Sequence, residues 1–299
     1  MITTEDKVYQ AIGNAVMILL SLAAIIPIIL MVTSSFTDNN TLIQNGYSFF
    51  PKKWSAYAYE WIFLSNRDTV LKAYGISAIL TAVGTILSLI ITTTLAYGIS
   101  RQGLPFRGAI TFYIFFTMLF NGGLVPTYMN YTNVFHVKDT FFGLLVPGLL
   151  MNAFNVLLMK SYFVSSIPGE ILDAAYIDGA GEFAVLRKIT VPMAKPIIAT
   201  IAMFTGIAYW NDWNNGFIYL VKRTDLYSIQ NLLNRLMQSI QALTQNTNAS
   251  INAVEGLSQI PKETVRMAMA ALGILPIVIV YPFIQNNFVK GITLGGVKG

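Results

Sequence analysis

The sequence predicts an all-α integral membrane protein with six transmembrane helices, and two observations lead to that prediction. Of the 299 residues, 55% are hydrophobic and 11% are charged, whereas ordinary soluble domains carry about 25% charged residues. Six apolar runs also reach the roughly 20 residues that a helix needs to cross a hydrocarbon core. We expect the runs to belong to one transmembrane domain over residues 1–299. They cover residues 12–35, 73–100, 108–130, 140–163, 193–220 and 264–288.

Composition also limits the chemistry that the chain can perform. The sequence has no Cys and a single His, His136, so disulfides and thiolate metal sites are excluded and a histidine relay is disfavoured. The net charge of +5 on such an apolar chain indicates contact with membrane lipid and no nucleic-acid partner. The first apolar run has no small-residue cleavage site after a short core, so we expect it to be a retained anchor.

The charged segment between the fourth and fifth apolar runs, residues 168–192, predicts a helix, a bend and a second short helix. Glu170 and Asp173 place negative charge near the positive end of the first helix. Asp178-Gly179 favours a turn, and residues 182–189 favour the second helix. We interpret the segment as a docking element for another protein. The alternative is an amphipathic connector between two spans.

The same segment resembles the EAA loop of ABC importer permeases, whose pattern is Glu-Ala-Ala, a spaced Gly and a final Ile-x-Leu-Pro. The matching positions are Asp173-Ala174-Ala175, Gly179 and residues 189–192. In that family the loop forms coupling helices that sit in a groove of the cytoplasmic ATPase subunit. Asp173 is one methylene shorter than the usual Glu, and Leu186 stands where the family often has an aromatic residue. The coupling residues that the resemblance implies are Glu170, Asp173, Ala174, Ala175, Asp178, Gly179, Ala180, Leu186 and Pro192.

The resemblance extends along most of the chain. The six-span layout, the string Trp210-Asn211-Asp212 and the tail at 288–299 are similar to carbohydrate-importer permeases of the maltose-transporter type. They match the subunit that lacks the extra amino-terminal helices. The implied fold is that of type I ABC importer permeases. Within this branch the chain looks most like permeases for large oligosaccharides or polysaccharides, including the alginate importer.

The resemblance implies a transport subunit and not an enzyme. Its implied partners are a second homologous permease, an ATPase dimer, an extracytoplasmic sugar-binding protein and a saccharide substrate. The sequence has no G-x-x-x-x-G-K-[ST] loop for nucleotide phosphates, so we expect no cofactor on this chain, with ATP and Mg on the partner ATPase. Lys and Arg are balanced between the two sides and do not decide the orientation. The docking segment does: it implies a multi-pass protein of the bacterial cytoplasmic (inner) membrane with both termini cytoplasmic.

Amide and aromatic side chains near the spans suggest a substrate path. Aromatic faces can stack on sugar rings, and amides both donate and accept hydrogen bonds. The alternative for the aromatic members is a place in the aromatic belt at the membrane surface. A competing class of protein, the ion-driven secondary solute carrier, would need a buried carboxylate, for which Asp212 is the candidate. The path candidates are Tyr209, Trp210, Asn211, Asp212, Trp213, Asn214, Asn152 and Asn155.

The outer loop at 221–263 and several helix breaks complete the prediction. Apolar residues at spacings of three and four from Ile229 to Leu243 predict an amphipathic helix. That helix either enters a docked binding protein or packs on its own bundle. We also expect kinks or hinges at Gly122-Gly123 with Pro126, at Pro147-Gly148, and at Pro276 with Pro282.

Overall fold

The computed structural model describes residues 4–245 and 261–296, and helices provide nearly all of the regular structure in these ranges. One isolated antiparallel bridge joins Thr37 and Trp54. The predicted all-α class is confirmed. The α-helices are α1 (Thr4–Ser35), α2 (Asn39–Asn45), α3 (Tyr57–Ser100), α4 (Arg107–Leu119), α5 (Leu124–Met129), α6 (Phe142–Leu145), α7 (Ala153–Ser166), α8 (Gly169–Ile177), α9 (Glu182–Val185), α10 (Val191–Met193), α11 (Lys195–Asn211), α12 (Asn214–Tyr219), α13 (Ile229–Gln245) and α14 (Lys262–Gly296). Single π-helical turns lie at Asn130–Val134 and Leu186–Thr190, and a 3-10 turn lies at Thr224–Leu226.

The chain folds as two compact units. The first contains Met1–Val70 and Leu233–Leu275, and the second contains Leu71–Leu232 and Pro276–Gly299. Both units include parts of predicted spans, and the assignment of residues 1–299 to one transmembrane domain stays a prediction.

The long helices match some of the predicted spans, while other predicted spans are broken or divided between helices. In the described residues, three helices are long and apolar enough to cross a membrane, namely Tyr9–Ser35, Arg67–Ser100 and Lys262–Pro282. They correspond to the first, second and sixth apolar runs. Two bent pairs raise the number to five if each pair is one span: Arg107–Leu119 with Leu124–Val134, bent by 117°, and Glu182–Met193 with Lys195–Asn211, bent by 82°. The fourth run is divided between α6 and α7.

Two of the three places where we expect kinks or hinges lie between separate helices. Gly122-Gly123 separates α4 from α5, where the Asn121 Oδ1 accepts a hydrogen bond of 2.8 Å from the Gly123 N–H. Pro147-Gly148 lies between α6 and α7. Pro276 and Pro282 instead lie inside α14, whose helical assignment continues through both.

In the first unit, capping bonds fix the entries to two helices. The Asp38 Oδ1 accepts a hydrogen bond of 3.2 Å from the Thr41 N–H at the start of α2, which satisfies one of the unpaired donors of that helix end. The Asn39 side chain accepts bonds from the backbone N–H groups of Glu263 and Thr264 at the start of α14. The aromatic ring of Tyr59 stacks on Phe36 with 4.7 Å between ring centroids.

The core of the second unit lies where α3, α4, α7, α8 and α11 pack together. Val156 and Met159 of α7 and Ile201 of α11 are fully buried in it. Because lipid tails are as apolar as these side chains, van der Waals packing between the helices, and not exclusion of water, stabilises this core. The same core includes Leu172, Ala175, Val185 and Leu186. The segment at 168–192 is therefore packed onto the helices and is not a loose connector.

Candidate functional site

The docking segment has the helix, bend and helix that the sequence predicts. Helix α8 ends at Ile177, and Gly179 follows with a φ of +78°. The Gly179 N–H donates to the Tyr176 carbonyl at 3.0 Å, and the Ala180 N–H donates to the Ala175 carbonyl at 2.9 Å. This pair of bonds is the Schellman motif, which places its glycine in the left-handed region and satisfies the last carbonyls of the helix. Gly179 therefore sets the angle between α8 and α9.

The two faces of the segment differ in what they contact. Leu172, Ala175 and Leu186 are buried in the core of the second unit, and Ala180 is half-buried. These residues hold the segment against the helices. On the other face, the exposed members of the predicted set are Glu170, Asp173, Ala174, Asp178, Gly179 and Pro192. Helical spacing accounts for the division, because residues three or four apart share a face.

A polar network holds the start of α9 to the end of α3. The Tyr97 hydroxyl donates to the Glu182 carboxylate, and Arg101 donates to the Tyr97 hydroxyl at 2.8 Å. Tyr176 donates to the other Glu182 oxygen at 2.9 Å, and the Arg101 guanidinium lies 4.4 Å from the centre of the Tyr97 ring. The hydrogen bond from Tyr97, followed by the bond from Tyr176 and the charge of Arg101, lowers the pKa of Glu182. The carboxylate therefore remains ionised at neutral pH.

Two apolar residues of the exposed face were missed by the sequence reasoning. Ile177 is 86% exposed and Phe183 is 73% exposed, one on each side of the Gly179 bend. Large apolar side chains at the surface of a charged segment are typical of a protein contact. The sequence does offer a signal for Ile177: it is apolar, yet it is not three or four residues from Leu172 or Ala175, so it cannot share their buried face. The network partners Tyr97 and Arg101 were also missed, since they lie about 80 residues earlier in the sequence, at and just after the end of α3.

The polar string at 209–215, which begins in the last turn of α11, is used mainly to bond backbone groups. Tyr209 is 1% exposed, and its hydroxyl donates to the Leu145 carbonyl at 2.7 Å. Its ring lies against Gly84, where an added Cβ would be 2.4 Å from the ring. The Asp212 Oδ1 accepts from the Asn214 N–H at 3.2 Å. The Tyr209 hydroxyl and the Asp212 Oδ1 thus serve local structure, whereas the Asp212 Oδ2 is buried without a hydrogen-bond partner among the described residues.

The other path candidates are divided between surface and core. Trp210 lies beside Tyr74, with 6.2 Å between ring centroids, while Asn211, Trp213 and Asn214 are exposed. Asn152 caps α7 by accepting from the Asn155 N–H at 3.2 Å, and Asn155 itself is buried. The structure does not gather these residues into one polar pocket in its described part, and their contact with substrate stays a prediction.

A cavity of about 590 Å³ borders Trp210. Helices α3, α11 and α14 contribute small and apolar residues to it, among them Ala78, Ala82, Ala202 and Gly206. Thr81 and Thr85 add the hydroxyl groups of its wall. An apolar lining of this kind suits a hydrocarbon group or a packed helix better than a sugar.

Long apolar helices, broken spans and a packed segment with an open charged face define a subunit of a membrane transport system. Residues 102–294 match the family described as binding-protein-dependent transport system inner membrane component, and the chain belongs to that family. The predicted resemblance to ABC importer permeases is confirmed. Family membership does not favour the ion-driven carrier.

Similar proteins cover nearly the whole chain. It is 30% identical to the polygalacturonan/rhamnogalacturonan transport system permease protein YtcP of Bacillus subtilis (strain 168), over 99% of this chain and 100% of that protein. It is 32% identical to protein LplC of the same organism, over 92% of this chain and 90% of that protein. A crystal structure of a bacterial ABC transporter involved in the import of the acidic polysaccharide alginate contains a chain with 28% identity and a TM-score of 0.78. The match covers 96% of this chain and 99% of that one.

Proposed function

We propose that this chain is one permease subunit of an ATP-driven importer that passes an acidic oligosaccharide or polysaccharide from a binding protein to the cytoplasm. The observation that carries the proposal is the two-faced packing of residues 168–192. One face is buried in the core formed by the helices, and the other is left open. A segment built in this way can receive a movement on one side and deliver it on the other.

The partner on the open face is an ATPase dimer that carries ATP and Mg. Glu170 and Asp173 offer negative charge to basic groups of that partner, and Ile177 and Phe183 offer apolar contact. When the ATPase dimer closes on ATP, the segment moves with it. Leu172, Ala175 and Leu186 transmit the movement by packing, and the Glu182 network transmits it to α3. A second homologous permease completes the pathway for alternating access.

The acidic substrate class is supported by the names of two similar proteins. Polygalacturonan, which YtcP is named for, and alginate, which the solved structure is described as importing, are both polymers of uronic acids. The proposed orientation places the segment at 168–192 and both termini in the cytoplasm, because ATP is found on that side of the bacterial inner membrane.

The first test is purification of the tagged chain from its native membranes in mild detergent. We expect a second permease and an ATPase to co-purify, and ATP hydrolysis to rise when a binding protein loaded with an oligogalacturonide or oligoalginate is added. A neutral maltodextrin serves as the control sugar. Recovery of the chain alone, with solute flux driven by an ion gradient, would reject the proposal. Stimulation by the neutral sugar only would reject the acidic class and retain the importer.

A pair of glycine variants tests the coupling role itself. Gly179→Asp forces a side chain into a left-handed conformation, which costs about 1–2 kcal/mol for most residues and less for Asp, and should abolish transport while the protein remains in the membrane. Gly181→Asp is the matched control, because Gly181 has a φ of −75° and nothing within 4 Å of an added Cβ. Equal transport by the two variants, at equal abundance, would contradict the coupling role of the bend.

A further inference from the structure

A basic pocket of about 520 Å³ lies where the start of α4 meets α7. It is open to the outside and is separate from the docking segment and from the cavity beside Trp210. Two cationic side chains, one hydroxyl and two aromatic rings form most of its wall. The lining residues are Arg107, Gly108, Thr111, Phe112, Phe115 and Lys160.

The charges of this pocket are not balanced by acidic side chains. The Lys160 Nζ lies 3.5 Å from the Thr111 Oγ1, and the Arg107 Nε donates to the Ile99 carbonyl at 2.8 Å. No carboxylate lines the pocket, and within the described residues neither Arg107 nor Lys160 forms a salt bridge. Two like charges beside one cavity repel each other, and a bound anion would remove that cost. The Thr111 hydroxyl donates its one proton to the Arg107 carbonyl at 2.8 Å and accepts from the Lys160 ammonium, so it positions Lys160 beside the pocket.

An apolar strip runs from this pocket along the outside of α4. Phe112, Phe116 and Phe120 are all exposed, and their ring centroids lie 6.2 Å and then 4.3 Å apart. Residues four apart share a face of a helix, so the strip continues for about 12 Å from the pocket. Its length and character suit part of an acyl chain lying against the helix.

We propose that this pocket and strip bind one anionic phospholipid. The headgroup phosphate lies between Arg107 and Lys160, with Thr111 positioning Lys160, and an acyl chain follows the phenylalanine strip. The two polar residues lie at similar distances from the neighbouring helix ends. Thr111 is about 6 Å from the start of α4, and Lys160 is about 9 Å from the end of α7, measured along the helix axes. With the orientation of the proposed function, the site faces the cytoplasmic leaflet. The site itself does not depend on that orientation.

Native mass spectrometry of the full chain, purified with its co-purifying subunits, tests the proposal. Phosphatidylglycerol should be retained preferentially over phosphatidylcholine of the same chain length. Lys160→Met should lower that preference about fivefold, which corresponds to about 1 kcal/mol per basic residue near anionic lipid. Thr111→Val should lower it less. Lys195→Met is the matched control, because Lys195 is an exposed lysine at the start of α11 and lies outside the pocket.

Three results would overturn the proposal. The first is equal retention of the two lipids by the unaltered chain. The second is an equal loss in the Lys160→Met and Lys195→Met variants, which would indicate general surface charge. The third is displacement of the lipid by glycerol 1-phosphate, which has the same phosphate without acyl chains and would indicate a site for a soluble anion. Arg107→Lys keeps the charge, so retained preference in that variant supports the site even if Lys160→Met is unstable.

Discussion

The docking segment at 168–192 and the polar string at 209–215 both contain charged and aromatic residues, yet their polar side chains have different roles. In the docking segment the Schellman motif pairs backbone groups at the bend, and the charged side chains are exposed, with Glu182 also bonded to Tyr97. In the string the side chains supply bonds that the backbone lacks. The Asn215 Nδ2 donates to the Pro147 carbonyl at 2.8 Å, and the Tyr209 hydroxyl donates to the Leu145 carbonyl.

The difference follows from what each region packs against. The string faces the break between α6 and α7, where helix carbonyls have no intrahelical donor and must be paired in some other way. The docking segment faces no such break. A polar residue near a membrane span is therefore not by itself evidence of a path for substrate. Polar side chains are also needed to pair the free carbonyl groups where a helix is broken.

The largest effect should come from a proline inside α8. Ala174→Pro removes an intrahelical hydrogen bond and costs about 3 kcal/mol or more. We expect uptake of labelled oligosaccharide to fall to background while the protein stays in the membrane. Gly169→Pro is the control, because Gly169 is the first residue of α8, where proline is tolerated. If Ala174→Pro transports normally at normal abundance, the docking segment does not couple.

The next effect should appear at the contact between α3 and the polar string. Gly84→Ala places a Cβ 2.4 Å from the Tyr209 ring, and overpacking of this kind costs about 1–3 kcal/mol. We expect a lower melting temperature in detergent. Gly75→Ala on the same helix meets nothing within 4 Å and should be neutral or stabilising. Equal melting temperatures for the two variants would show that Tyr209 does not pack as described.

A smaller loss should follow removal of one hydroxyl from the string. Tyr209→Phe leaves the buried Leu145 carbonyl without its donor, which costs about 1 kcal/mol. The measurement is again the melting temperature, with Tyr113→Phe as the control because Tyr113 is exposed on α4. If Tyr209→Phe keeps full stability but loses uptake, the hydroxyl serves the substrate and the contrast between the two regions is weakened.

The smallest effect concerns Glu182 and pH. Its pKa in the folded protein is lowered, so its contribution to stability is complete above the ordinary pKa of about 4.3. The contribution is lost as pH falls through the lowered folded value. Because the side chain is 63% exposed, solvent screens the interaction and the effect is small. The hydrogen-exchange protection factors of residues 168–192, which are corrected for the pH dependence of intrinsic exchange, should be unchanged between pH 7 and 5, and lower in Glu182→Gln than in the Glu170→Gln control. Loss of protection in the unaltered chain over that range would be inconsistent with a lowered pKa.

Local signals predicted the parts of the structure that depend on neighbouring residues. Asp178-Gly179 marked the bend, Gly122-Gly123 marked a broken helix, and the spacing of Ile229, Leu232 and Leu233 marked α13. Contacts between distant residues could not be read in this way. Tyr97 and Glu182 are 85 residues apart, and Tyr209 and Leu145 are 64 apart. The effect of a proline on a helix was also ambiguous in the sequence, because α14 continues through Pro276 and Pro282.

Helix α3 contacts two distant points of the second unit and is continuous between them. Near its end, Tyr97 bonds to Glu182 of the docking segment, and nearer its start the Ser77 hydroxyl accepts a 2.8 Å bond from the Ile229 N–H, where α13 begins. About 30 Å of unbroken helix separates the two bonds, which is the thickness of a hydrocarbon core. One continuous helix therefore connects residues 168–192 with the start of α13, and no chain of side-chain contacts is needed between the two bonds.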